Sequence, residues 1–178
     1  MYIAKSQDVY DRLILNTLWH AIDEFKKGNC TKLDIRVAER TVEITYNAGL
    51  SLESSKAEVS LAQIVTTQLC VCRITTWHTE DVSRFCNMGF AVVNAFSTEF
   101  FLKTIWNSQC SQVLFHQGHQ IGAFEIISSE QTNQTYLRFT PDATVLGQYN
   151  FNIKSIELMA AQIMKEFIGF QVSVVSRQ

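Results

Sequence analysis

Asn16, His20 and Asp23 follow one another at four- and three-residue steps, which on a helix makes their side chains neighbours on one face. An imidazole there could exchange protons near neutral pH or bind a metal. Neither Asn16 nor His20 has an evident nucleophile beside it, so a remodelled catalytic pair competes with a plainer arrangement. In that arrangement a polar residue and a hydrogen-bonded histidine line a collapsed pocket. Cys70, Cys72, His78 and Cys86 are the other candidate metal set. The Cys-x-Cys spacing is tighter than the usual zinc spacing, and on a helix the two thiols point apart. His116 and His119 flank a turn and read as a solvated loop. Arg138 reads as a sheet-surface residue, and Phe100, Phe101 and Trp106 as core or interface aromatics.

The stretch from Ser6 to Asn29 must position the first of these sets. Tyr10, Ile14, Leu18, Ala21 and Phe25, with Leu13 and Ile22 beside them, form one apolar helical stripe. Ser6 suits an N-cap, Asp8 the first turn, Lys26 and Lys27 the last turn and Gly28 the end. Alternation in LDIRV (Leu33–Val37) and TVEITY (Thr41–Tyr46), around a turn at Glu39-Arg40, predicts a hairpin. Leu61, Ile64, Val65 and Leu69 predict a helix from Val59 to about Arg73, weakened by its β-branched run. Thr79, Glu80 and Asp81 start another, whose stripe Val82, Phe85, Met88 or Gly89, Val92 and Phe96 predicts one continuous helix to about Ser97 with Gly89 inside it. FFLKTIW and SQVLFH around Asn107-Ser108 predict a second hairpin. Two more strands, Ala123–Ile127 and Thr135–Thr140, follow, the last ended by Pro141. A final helix from near Phe151 to Gly169 and a strand over Phe170–Val175 close the order. That order predicts an α+β domain, with helices on one face of a mixed sheet.

The 178 residues suffice for one domain. With 47% hydrophobic and 18% charged residues the chain is globular, and a net charge of -2 gives no footprint for nucleic acid. No apolar run approaches the ~20 residues of a membrane span, and no signal-peptide pattern opens the chain. A cytoplasmic, soluble protein is expected. Its five cysteines are then buried small hydrophobes rather than bridges.

Four stretches, in order along nearly the whole chain, resemble the ATP-binding domain of DNA gyrase B and its topoisomerase IV relatives, within the GHKL ATPase superfamily. Met1-Tyr2-Ile3 matches an MYIG start, and Ala21-Ile22-Asp23-Glu24 with Gly28-Asn29-Cys30 matches AIDEA...G.C. Gly89 to Ser97 (GFAVVNAFS) is close to GVSVVNALS, and Thr135 to Asp142 (TYLRFTPD) is similar to GT.V.F.PD. The resemblance implies a two-layer GHKL sandwich, here as a single domain over residues 1–178, without the transducer domain or toprim region of the relatives.

The departures fall on the positions that the resemblance makes functional. Asn16 stands at the catalytic glutamate, and an amide has no useful basicity near neutral pH. His20 stands at the magnesium asparagine, where imidazole is a poor substitute for a hard oxygen ligand. Tyr46, Asn47, Ala48, Gly49, Leu50, Ser51 and Leu52 stand at DNGRGIP, with Tyr46 in place of the adenine-binding aspartate. Ser83 to Met88 replaces the glycine-rich phosphate loop, leaving Gly89, and Gln134 precedes the retained Thr135.

The expected function is therefore a non-catalytic homologue, an interaction or scaffold module for a protein partner. Trp19, His20 and Tyr46 fill the old pocket in this reading, and the helix carrying Phe85, Met88 and Phe90 caps it. ATP and magnesium binding are expected to be lost, and direct nucleic-acid binding is not expected. A competing expectation is a protein that holds ATP or another purine in an altered pose beside Asn16, Asn47 and Thr135 with little hydrolysis. A third is a small-ligand or metal site using His20.

Overall fold

The computed structural model describes residues 9–54, 59–69, 88–148 and 150–177. Helix α1 (Val9–Lys26) is followed by strands β1 (Lys32–Ala38) and β2 (Thr41–Tyr46), then helices α2 (Leu61–Thr67) and α3 (Phe90–Ala95). Strands β3 (Ser97–Trp106), β4 (Gln109–His116), β5 (His119–Ser128) and β6 (Gln134–Pro141) come next. A short α4 (Ala143–Leu146), helix α5 (Ile153–Glu166) and strand β7 (Gln171–Arg177) complete the order. The seven strands form one sheet in the order β5-β4-β3-β6-β2-β1-β7, antiparallel except where β7 runs parallel to β1.

The expected stripe of α1 is buried except at half-buried Phe25, and so is most of the opposite face: Asn16, Thr17, His20 and Asp23 are under cover with Leu13, Ile14, Leu18 and Ile22. A helix buried on both faces is the centre of its layer. The first hairpin forms with Leu33 opposite Tyr46 and Ile35 opposite Ile44, so its apolar residues face the helices. Phe100, Leu102, Val113, Phe115, Leu137 and Phe139 add the same side of the central strands to the core.

Two helices differ from expectation. The second starts at Ser60, whose side chain accepts from the Gln63 N–H while Gln63 reaches back to the Ser60 N–H, a capping box. It ends at Thr67, where the β-branched pair lets threonine hydroxyls compete for the carbonyls of Gln63 and Ile64. Gly89 does not lie inside a helix. Its φ of +77° makes it the residue before a six-residue helix, and only Phe90–Ala95 is helical there. Apolar spacing alone misreads this point because a left-handed residue breaks the helix without disturbing the spacing. The expected part of that helix from Thr79 to Asn87, the Ser6 cap, Met1–Ile3 and the Cys70, Cys72, His78 and Cys86 set lie outside the described residues. The last helix begins near Phe151 as expected and is capped by Asn152, whose side chain accepts from the Ser155 N–H.

Candidate functional site

The polar face of α1 meets the end of β2 and the start of α3, and the start of β6 pairs with that end of β2. Asn16 is 6% exposed, and its Oδ1 accepts from two backbone amides, Met88 N–H at 2.8 Å and Gly89 N–H at 3.0 Å. Its Nδ2 donates to the Arg12 carbonyl at 2.7 Å. The side chain thus clamps the turn entering α3 onto α1. Those two amides point at a protein oxygen and have no free direction for an outside anion.

One turn on, His20 Nδ1 lies 3.0 Å from the Tyr46 hydroxyl, and both residues are 1% exposed. Burial lowers the His20 pKa to about 4, against the opposing pull of Glu24 and with a further push from Lys27. The imidazole is therefore neutral at pH 7. Burial also drives the Tyr46 hydroxyl above its usual pKa, so it stays protonated. Trp19 is 1% exposed and packs on Phe90 with ring centroids 5.6 Å apart and on His20 at 5.4 Å. Trp19, His20, Tyr46 and Phe90 form a continuous aromatic plug between α1, β2 and α3.

Thr135 donates to the Ala48 carbonyl at 2.7 Å. With that proton committed, the Thr104 hydroxyl at 3.2 Å must donate to Thr135 Oγ1, while its own oxygen accepts the Leu50 N–H at 2.8 Å. The loop after β2 is thereby laced onto β6 and β3. Gly49 lies so close to β3 that an added Cβ would sit 2.1 Å from the Ile105 carbonyl oxygen. Asn47 faces elsewhere: its Oδ1 accepts the Thr31 and Lys32 N–H groups, each at 2.9 Å, and its Nδ2 donates to Thr31 Oγ1. It brackets the turn before β1. Of the positions singled out in the sequence, Asn16, Trp19, His20, Tyr46, Gly89 and Thr135 converge, and Asn47 turns away.

A cavity of about 270 Å³ remains outside the plug, lined by His20, Glu24, Lys27, Gly49, Ser51, Leu61 and Trp106. Burial alone would raise the Glu24 pKa. Hydrogen bonds from Lys27 (2.8 Å) and Asn29 (2.9 Å), together with the charges of His20 and Lys27, outweigh it and hold the carboxyl below its usual range. Lys27 also reaches Asp23 at 2.6 Å. The charges at the cavity floor are thus largely neutralised within the chain. Sequence reasoning misses Glu24 and Lys27 as site residues, although Glu24 follows His20 by four positions and so shares its face. Among the described residues, no group of three or more His, Cys, Asp or Glu could hold a metal ion. His116 and His119 stand opposite one another across the Gln117-Gly118 turn, at the exposed end of a hairpin. Arg138 pairs with Glu99 on the sheet surface at 2.5 Å, as expected of a surface residue.

No family model matches the chain. It superposes on solved ATP-binding domains of type II topoisomerases. The topoisomerase IV ATP-binding domain of Francisella tularensis, in complex with a small-molecule inhibitor, matches with a TM-score of 0.77 and 19% identity, over 97% of this chain and 84% of that one. The 43K ATPase domain of Thermus thermophilus gyrase B, in complex with an aminocoumarin, matches with a TM-score of 0.74 and 17% identity, over 95% and 43%. The fold is the GHKL ATPase fold of gyrase B domains. In sequence the chain is similar to the B-type polypeptide of DNA topoisomerase 4 from Borreliella burgdorferi, 26% identical over 145 residues, or 79% of this chain. It spans about a fifth of that relative, 22% of its length.

The gyrase-B-type α+β sandwich expected from the sequence is thus the one observed, seven strands with helices on one face. No helix among the described residues is long and apolar enough to cross a membrane. The groups that the resemblance assigns to ATP and magnesium do not fit that task here. Asn16 Oδ1 already accepts two N–H groups, and His20 offers a buried ring nitrogen directed at Tyr46, not a hard oxygen.

Proposed function

We propose that this chain is a non-catalytic relative of the gyrase B ATPase domain, kept as an interaction or scaffold module in the cytoplasm, with a protein partner and without direct nucleic-acid binding. The observation that carries this reading is the Asn16 clamp. A residue at the position of the general base has no basicity, and it uses its oxygen to hold the Met88 and Gly89 amides. The aromatic plug of Trp19, His20, Tyr46 and Phe90 supports it, because it closes the space between α1 and β2 with side chains. No step through ATP or magnesium is derived, since the donor set does not suit either.

A second reading has its own observation, the cavity of about 270 Å³ between His20, Gly49, Leu61 and Trp106. A purine held there, outside the plug, is the altered-pose alternative. Calorimetric titration with ATP and ADP, with and without magnesium, separates the two. The first reading expects no heat and no thermal shift at millimolar nucleotide. Saturable micromolar binding overturns it and makes Asn16→Glu the variant to assay for turnover.

A further inference from the structure

The β4–β5 hairpin ends in a pair of histidines. His116 is the last residue of β4 and His119 the first of β5, and the two are direct partners in the ladder. Phe115 is buried in the core, so His116 and its partner point to the other face of the sheet, away from the helices, where both are exposed. Their types and spacing read as a solvated loop, whereas the pairing carries both strands right up to a two-residue turn. Side chains paired in this way start from Cβ atoms roughly 5 Å apart. Neither imidazole has a hydrogen-bond or ion-pair partner among the described residues.

The tip of a hairpin is ordinarily among the looser parts of a fold, but this one is braced. Gln117 and Gly118 have φ of +49° and +78°, the left-handed backbone that such a turn requires at both central positions. The Gln117 N–H donates to the Thr98 carbonyl at 3.2 Å, and its Nε2 donates to Asp142 Oδ2 at 3.1 Å. Gly118 lies beside the end of α3, where a Cβ built on it would stand 3.7 Å from Ala95 Cα. The turn is thus tied to the start of β3 and to the residue that caps α4, and the two imidazoles stand on a fixed base.

We propose that His116 and His119 are the two protein ligands of a site for a divalent transition metal of the kind that imidazole suits, Ni²⁺, Cu²⁺ or Zn²⁺. Metal–nitrogen bonds of about 2.1 Å put two ring nitrogens on one ion roughly 3 Å apart. Imidazoles that start from Cβ atoms roughly 5 Å apart close that gap by leaning together, with the backbone unmoved. Glu99 is the next residue in the same row, opposite His116 on β3, but Arg138 holds its carboxylate. The site therefore has two protein ligands and not three, in keeping with the lack of any three-residue metal group among the described residues. Water completes the coordination. Magnesium and calcium, which require oxygen ligands, are not bound by this pair. The site shares no residue with the pocket beneath α1, and it stands or falls apart from the reading of that pocket.

Calorimetric titration of the full chain with Ni²⁺, and then with Cu²⁺ and Zn²⁺, tests it. The expected result is saturable binding, tightest for Cu²⁺ in the order usual for nitrogen ligands. His116→Ala and His119→Ala, both at exposed positions, should each weaken it about tenfold or more, because a lone imidazole lacks the gain of a second ligand already in place. Their circular dichroism melts without metal should match that of the native chain. With Cu²⁺ the electron paramagnetic resonance spectrum should show coupling to two imidazole nitrogens, falling to one in either variant. No saturation by about 1 mM Ni²⁺ overturns the proposal. So does binding that the two variants leave intact, which would place the metal on the cysteines or on other histidines. Loss of affinity in only one of the two variants overturns the shared site.

Discussion

The centre of the sheet and its β5 edge dispose of their polar backbone in opposite ways. Where β2 and β6 meet α1, side chains satisfy every loop amide named above: Asn16 takes Met88 and Gly89, Asn47 takes Thr31 and Lys32, and Thr104 takes Leu50. At β5 the outer edge faces solvent along ten residues beside exposed isoleucines. A buried amide without a partner costs about 1–3 kcal/mol, whereas an exposed one is held by water at no such cost. The first region is therefore rigid by necessity and tolerates little. The second tolerates substitution and is free to take a partner. In this chain the two kinds of region lie at the centre and at one edge of a single sheet.

Glycine substitution should expose this contrast most sharply. At Gly49 an alanine Cβ would meet the Ile105 carbonyl oxygen at 2.1 Å and the Trp106 Cβ at 2.9 Å, both attached to a central strand that cannot retreat. Gly49→Ala should cost at least about 3 kcal/mol, the upper range of overpacking penalties, read as a drop in the urea midpoint. A loss below about 1 kcal/mol would mean that the loop after β2 is not held against β3 as described.

Asn16→Ala comes next. It removes one acceptor for two buried amides, and about 2–4 kcal/mol of stability should go with it. Hydrogen exchange at Met88 and Gly89 should rise in the variant, and unchanged protection there would break the clamp. Asn16→Asp preserves an acceptor oxygen and should recover part of the loss.

The pH dependence follows from His20. Its folded-state pKa of about 4 is lower than the ordinary 6.5, so between those values the unfolded chain binds a proton that the folded chain refuses. Stability should be fully present above pH 6.5 and fall as the pH drops toward 4, by about 2 kcal/mol between 6.5 and 5 for this one group. Comparing the urea midpoints of the native chain and His20→Asn at pH 7 and pH 5 isolates the contribution. Equal pH slopes in the two proteins would mean that the ring is not buried against Tyr46.

Much of this is legible in the sequence, where periodicity carries the information. The stripe of α1, the alternation in β1 and β2 and the turn at Asn107-Ser108 each follow from local spacing, and each is where the spacing puts it. Asn16, Trp19, His20 and Tyr46 lie together because a helix face and a strand end have few ways to meet. What is not legible depends on backbone dihedrals and on distant contacts. Apolar spacing misplaces Gly89 because a positive φ leaves no trace in it. Asn47 turns away because two amides at the start of β1, fifteen and sixteen residues back, claim its oxygen. The tight seat of Gly49 depends on Ile105, far along the chain. The full length of β5 escapes local reading because His119 and Gln120 carry no strand preference and are recruited by their pairing with β4.

The smallest expected effect sharpens the comparison from the open end. Gly122 on β5 has a φ of +80°, and nothing lies within 4 Å of an alanine Cβ built there. The cost of Gly122→Ala is then the left-handed backbone alone, about 1 kcal/mol, with no steric part. Against at least about 3 kcal/mol at Gly49, where contact is everything, the same change of one methyl group separates a packed site from an open one. The measurement is again the urea midpoint. If Gly122→Ala cost as much as Gly49→Ala, then β5 would be packed against something in the isolated chain, and its edge would not be open.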